Sequence, residues 1–265
     1  MTVGGESFVR HLAVATIVFA GLFALWPGVD LGASALTFRS GHGFWLGEHP
    51  LVRGLRDSVS FMAWAGIGVL VVLFILARLN VRAAGRLDRR RIAFVLLTIM
   101  LVPGITVPVL KRVFERPRPA EVKEFGGSQR FVPFLRISPG CPDICASFPS
   151  GETAFGFSLV ALGLAAESPV AVVAAIAVGC AVGTARVVQG RHFLSDVVMT
   201  GFGTTLVALV LYRLIMPRQP GRTSHLALPR GKPAPSANIP AARWATSAGQ
   251  PQRSRTPSTA SARSP

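Results

Sequence analysis

Charge is scarce in this chain, and negative charge is scarcest. Only 15% of the 265 residues are charged, with 12 Asp and Glu against 28 Lys and Arg; a soluble domain carries about 25%. A chain this poor in charge is not read as a globule wetted on all sides. Half of its residues are hydrophobic and they are gathered into long runs, the pattern of a polytopic membrane protein. Cysteine is scarce too, with three in all. Cys180 lies inside an apolar run as a small packing residue. Cys141 and Cys145, with no matching Cys or His, make a poor zinc site. They are close enough to pair, and a disulfide is expected if their loop faces an oxidising compartment.

The net charge of +16 would suit a nucleic-acid partner, but its distribution argues otherwise. Six Lys and Arg lie between Arg78 and Arg91 and nine lie from Arg213 onward. These are flanks of hydrophobic runs, where the positive-inside rule puts them. No aromatic-rich basic module accompanies them, so no nucleic-acid partner is expected.

Six apolar runs are expected to span a bilayer: about 12–27, 58–77, 92–110, 153–166, 170–185 and 197–216. The first follows a short polar start, residues 1–11, and is read as a retained span rather than a cleaved signal peptide, because no convincing cleavage site follows it. Residues 28–57 mix Gly, Arg and aromatics and are too polar to span. They lie along the membrane interface or form an ordinary exposed loop. The Arg-rich loop 78–91 marks the cytoplasmic side, which places both termini in the cytoplasm. Pro103 and Pro108 fall within the third span, where neighbouring helices can satisfy the freed backbone groups. Residues 217–265 contain no acidic residue and are rich in Pro, Ser, Ala and Arg; this composition is expected to be a disordered basic tail.

Three polar islands interrupt this apolar background. They are Lys111–Pro119, Phe148–Glu152 and Ala185–Asp196. With six spans, all three emerge on the outer side. The long loop 111–152 nevertheless carries seven Lys and Arg, against the positive-inside trend, and that invites a functional explanation. In the third island His192 and Asp196 are four apart, so they share one face if a helix begins near His192. An Asp beside a His fixes its tautomer and leaves the other ring nitrogen free, and such a His can attack phosphorus. Arg186 closes the preceding span. The first island supplies Lys111 and Arg118 to neutralise phosphoryl oxygens. In the second, Ser150 is a good N-cap, and Gly151 at a helix start offers bare N–H groups to an anion. Read alone, each island has a structural explanation: a structural His at the membrane interface, a basic flank, a capped helix.

Together the motifs resemble the phosphatidic acid phosphatase type 2 superfamily, which includes bacterial lipid phosphatases and vanadium haloperoxidases. Lys111 and Arg118-Pro119 fit its first motif, Pro149-Ser150-Gly151 its second, and Arg186, His192 and Asp196 its third. The resemblance covers about residues 58–216. It implies an all-α helical bundle, with His192 as nucleophile and Asp196 as its partner. Lys111, Arg118, Ser150, the Gly151 N–H and Arg186 would hold the phosphate, without a metal or other cofactor. Two positions depart. Ala185 stands where the motif has Ser, and Glu152 stands where the family has the His that protonates the leaving group. Glu152 can serve as a carboxylic general acid, or the leaving group needs little protonation, as with a sugar hemiacetal or another phosphate. The Cys-x-x-x-Cys loop followed by a Ser-Gly-acidic sequence is similar to bacterial lipid A phosphatase-like members.

The expectation is a phosphatase acting through a phosphohistidine at the outer face of a bacterial inner membrane. Its partners are the bilayer and a phosphorylated lipid of lipid A, isoprenyl pyrophosphate or phospholipid type. Two other readings stay open. One is transfer of the phosphoryl group between lipids; the other is an inactive protein that only binds them.

Overall fold

The computed structural model describes residues 6–54, 58, 65–66, 68–69, 71–72, 75, 88–138 and 145–216. Most of the expected second span, most of the Arg-rich loop, Cys141 and the basic tail lie outside them. Among the described residues the protein is all-helical, with no strand beyond two isolated bridges. The helices are α1 (Glu6–Leu25), α2 (Gly28–Ala35), α3 (Arg89–Ile99), α4 (Val107–Phe114), α5 (Gly151–Ser158), α6 (Val160–Ala165), α7 (Pro169–Val188) and α8 (Leu194–Ile215).

Among the described residues, four stretches are long and apolar enough to cross a membrane: Ser7–Leu25, Arg89–Glu121, Pro169–Val188 and Leu194–Ile215. The expected fourth span is present as the α5–α6 pair, Gly151–Ala165, which is shorter than the roughly 17–25 residues of a full crossing. The last helix is the central one. Half of its most apolar stretch is buried, against 6% in α1. It packs on α1, α3, α5, α6 and α7.

Local chemistry sets the helix ends. Asp88 caps α3 by accepting from the Arg90 N–H at 2.9 Å, and Ser168 caps α7 from Ala171, with Pro169 in the first turn. A proline there loses no helical bond. Inside the third span Pro103 cannot donate and crowds the preceding turn, and the chain answers with a π turn over Met100–Thr106. The Val107 N–H reaches back to the Val102 carbonyl, and α4 then runs on with Pro108 in its first turn. Glu115 ends α4 in the left-handed conformation.

One apolar core, built on Phe94, Val160, Leu164, Val172 and Leu209, ties α3, α6, α7 and α8 together at one end of the bundle. At the other end, loops cover a second layer of aromatics. Phe38, Phe44 and Phe125 have ring centroids 5.2–5.5 Å apart and pack with Val122 and Phe193. Segment 28–57 is therefore neither purely interfacial nor an ordinary exposed loop over its described part. Its helix α2 buries Asp30 and Ser34 completely, and its aromatics close the loop end of the molecule.

Candidate active site

The three islands are joined by direct hydrogen bonds. The Ser147 N–H donates to the Arg116 carbonyl at 2.9 Å and the Ala120 N–H to the Gly190 carbonyl at 3.0 Å. The Ser150 N–H donates to Thr200 Oγ1 at 3.1 Å, and that hydroxyl donates to the Asp196 carbonyl. Gly190 turns the chain from α7 toward His192 with φ of +63°, and a side chain at this point would strike the Phe44 ring. Glycine meets both demands.

His192 is buried. Its Nδ1 lies 2.5 Å from the Ser147 carbonyl. A carbonyl only accepts, so Nδ1 carries the proton and Nε2 holds the lone pair. Burial, then the Arg186 guanidinium, then the Lys111 ammonium push the imidazole well below its ordinary value of 6.5; the Ser147 carbonyl works against them, and Arg118 adds to them. The ring is a neutral base at neutral pH with its free nitrogen among three cations.

Those cations are the expected ones. Lys111, on α4, interacts electrostatically with Arg118, Glu152, Arg186 and Asp196. Arg186, in the last turn of α7, donates through one terminal nitrogen to Gln189 Oε1 at 2.7 Å and pairs through the other with Glu152 Oε1 at 3.2 Å. Arg118 is held by Glu121, which accepts its main-chain N–H at 2.8 Å, and its buried Nε has no hydrogen-bond partner. Glu152 Oε2 lies 4.0 Å from His192 Nε2. Glu152 thus reaches both His192 and Arg186 from the first turn of α5. Ser150 caps α5 with its buried hydroxyl, which accepts from the Thr153 N–H and Oγ1. Gly151 is half-buried beside it. Among the described residues no group of three His, Cys, Asp or Glu could hold a metal ion.

Asp196 departs from expectation. Helix α8 begins at Leu194, after His192, so the two do not share a helix face, and the structure shows no hydrogen bond between them. Asp196 instead sits fully buried in the first turn of α8. It accepts from the Phe193 N–H at 2.8 Å, Ser147 Oγ at 2.5 Å and the Arg116 guanidinium at 2.6 Å. Its link to His192 runs through Ser147, whose side chain it holds and whose carbonyl holds the imidazole.

Behind this link lies a network that sequence reasoning missed. Arg116 is 1% exposed. It bridges Asp196 and Asp30, the latter at 2.8 Å, donates to Ser195 Oγ and the Val132 carbonyl, and stacks 4.5 Å from the Phe193 ring centre. Asp30 also accepts from the Ser195 N–H and hydroxyl. The available signal was scarcity: Asp30 is the single acidic residue between Glu6 and Glu48. Of the paired cysteines expected in the loop, Cys145 is buried and disulfide-bonded; Cys141 lies outside the described residues.

Comparison with known proteins agrees with this geometry. Residues 92–220 match the PAP2 superfamily, a range that contains every expected site residue. The chain is 31% identical over 219 residues to a lipid A 4'-phosphatase of Francisella tularensis subsp. novicida, covering 77% of this chain and 96% of the relative. No solved structure matches. With motif order, helical scaffold and similarity in accord, the chain belongs to the PAP2 superfamily and is a phosphatase.

Proposed function

We propose that the protein removes a phosphate from a lipid A-type glycolipid at the outer face of a bacterial inner membrane, through a phosphohistidine on His192. The observation that carries this reading is the imidazole itself. It is buried, held neutral, anchored at Nδ1 by the Ser147 carbonyl and surrounded by Arg186, Lys111 and Arg118. Nothing in a helix end requires that arrangement, whereas attack on a phosphoryl group requires a neutral nucleophile among charges that neutralise the equatorial oxygens. The relative's name supports the lipid A choice.

In the reaction the Nε2 lone pair forms a bond to phosphorus as the bond from phosphorus to the ester oxygen breaks. Lys111, Arg118, Arg186 and the Gly151 N–H hold the phosphoryl oxygens, the unpartnered Arg118 Nε being a donor available for one of them. Glu152 donates a proton to the leaving oxygen and then takes one from the water that cleaves the N–P bond. Phosphate release in detergent tests the reading, with lipid A bearing a 4'-phosphate, isoprenyl pyrophosphate and phosphatidic acid as substrates. Release is expected from lipid A and abolished in His192→Ala. No release from any of the three would contradict it.

A further inference from the structure

Glu152 stands where a phosphate bound for attack would have to come. Its carboxylate spans Arg186 and the nucleophile, with Oε1 3.2 Å from the guanidinium and Oε2 4.0 Å from Nε2. A phosphoryl group in line for attack on phosphorus needs that same volume beside Nε2. It also competes with Glu152 for that guanidinium, whose other terminal nitrogen is engaged by Gln189 at 2.7 Å. The Gln189 arm is not easily given up. Gly47 lies so close that a side chain there would meet the Gln189 backbone, which fixes Gln189 from the other side. An arriving phosphate therefore exchanges with Glu152 on Arg186.

We propose that this exchange loads the general acid: phosphate binding displaces the Glu152 carboxylate from Arg186, and Glu152 takes up from solvent the proton it later delivers to the leaving group. The idea rests on the phosphatase reading above and deepens it. The charged and titratable groups around Glu152 are Arg186 from α7, His192 from the turn that follows, Lys111 from α4 and Arg118 beyond it. Exchange removes the guanidinium from the Glu152 carboxylate and sets a phosphoryl anion beside it. His192 is not the acceptor, because the cations and burial keep it neutral and its lone pair is needed for attack.

The proton balance closes. One proton enters with the substrate and goes to the leaving oxygen as the P–O bond breaks. The regenerated carboxylate takes a proton from the attacking water as that water's oxygen bonds to phosphorus and the N–P bond breaks. Release of inorganic phosphate returns Glu152 to Arg186 and its proton to solvent. This sequence explains how a Glu can stand in for an acid, although its resting position is an ion pair.

Calorimetry of sulfate binding to the detergent-solubilised full chain tests this, using buffers of different ionisation enthalpy near neutral pH. Sulfate mimics the phosphoryl group but does not itself titrate there. The parent is expected to take up about one proton per sulfate bound, and Glu152→Gln to bind sulfate roughly tenfold tighter with no proton uptake. Binding to the parent without proton uptake overturns the inference, and that measurement needs no variant. Proton uptake that persists in Glu152→Gln also overturns it, since the proton then goes to another group such as His192. So does a Glu152→Gln protein that binds sulfate no more tightly than the parent. In each of these cases the phosphatase reading stands, because an anion still binds. A protein that fails to bind sulfate yet releases phosphate from lipid overturns only the inference; one that does neither overturns the reading beneath it.

Discussion

At the scale of single residues, the site depends on a neutral histidine and a buried cation. Because His192 is pushed well below 6.5, protonation of the nucleophile should not limit kcat/KM until the pH is well under that value. An acid limb at or above 6.5 that titrates His192 itself would contradict this. The stability effect has the same origin. Below 6.5 the unfolded chain binds a proton that folded His192 refuses, so this residue lowers stability as the pH falls through 6.5 and is neutral above it. Arg116 acts through its partners. Removing it leaves Asp30 and Asp196 buried without their countercharge, and Arg116→Ala should destabilise the fold by about 3–5 kcal/mol, read as a lower midpoint of thermal unfolding in detergent. Motif residues such as Lys111, Arg186 and His192 could be singled out because their types and spacings carry chemistry by themselves, and the structure brings them together. The Ser147 relay and the Arg116 network could not. Asp30 meets Ser195 across 165 residues of sequence, and no local pattern encodes a contact that only the folded chain creates.

Among the elements, close helix approach decides the architecture. A Cβ on Gly163 would lie 2.6 Å from the Val172 backbone nitrogen, where α6 meets α7, whereas one on Gly203 would meet nothing within 4 Å. Gly163→Ala should therefore cost about 1–3 kcal/mol, and Gly203→Ala should leave stability unchanged or raised; the same thermal unfolding assay separates them. An equal loss in both would mean that backbone approach is not what places α6 on α7. The apolar runs at 170–185 and 197–216 coincide with α7 and α8 to within three residues because they are long and uninterrupted, whereas α1 starts six residues before the run at 12–27. Segment 28–57 was misjudged for a physical reason. Its polarity reads as exposure, but Asp30 and Ser34 are buried, and Asp30 is satisfied by Arg116 and Ser195. The prolines of the third span were visible, yet only the folded helix shows that Pro103 is absorbed as a π turn.

For the whole molecule, the chemistry collects at one end of an apolar bundle, on loops tied together by hydrogen bonds. The described basic residues of the long loop divide by task. Lys111, Arg116 and Arg118 turn inward, while Arg112, Lys123, Arg130 and Arg136 are exposed. The inward three account for part of the basic excess in a loop expected on the outer side, where the positive-inside rule does not favour it. In a Cys180→Ser background, a cysteine at exposed Ser128 should react with a membrane-impermeant thiol reagent added to intact spheroplasts, and one in the 78–91 loop should react only after lysis; the reverse pattern would invert the orientation. The central claim is narrower than orientation or substrate, and it is tested most directly by trapping the intermediate. Purified protein mixed with 32P-labelled lipid A and quenched within a turnover should carry covalent label that survives base and is lost in acid, as a phosphohistidine does, and His192→Ala should carry none. Label that persists in His192→Ala, or phosphate release by the parent with no such label under any quench, would contradict the account.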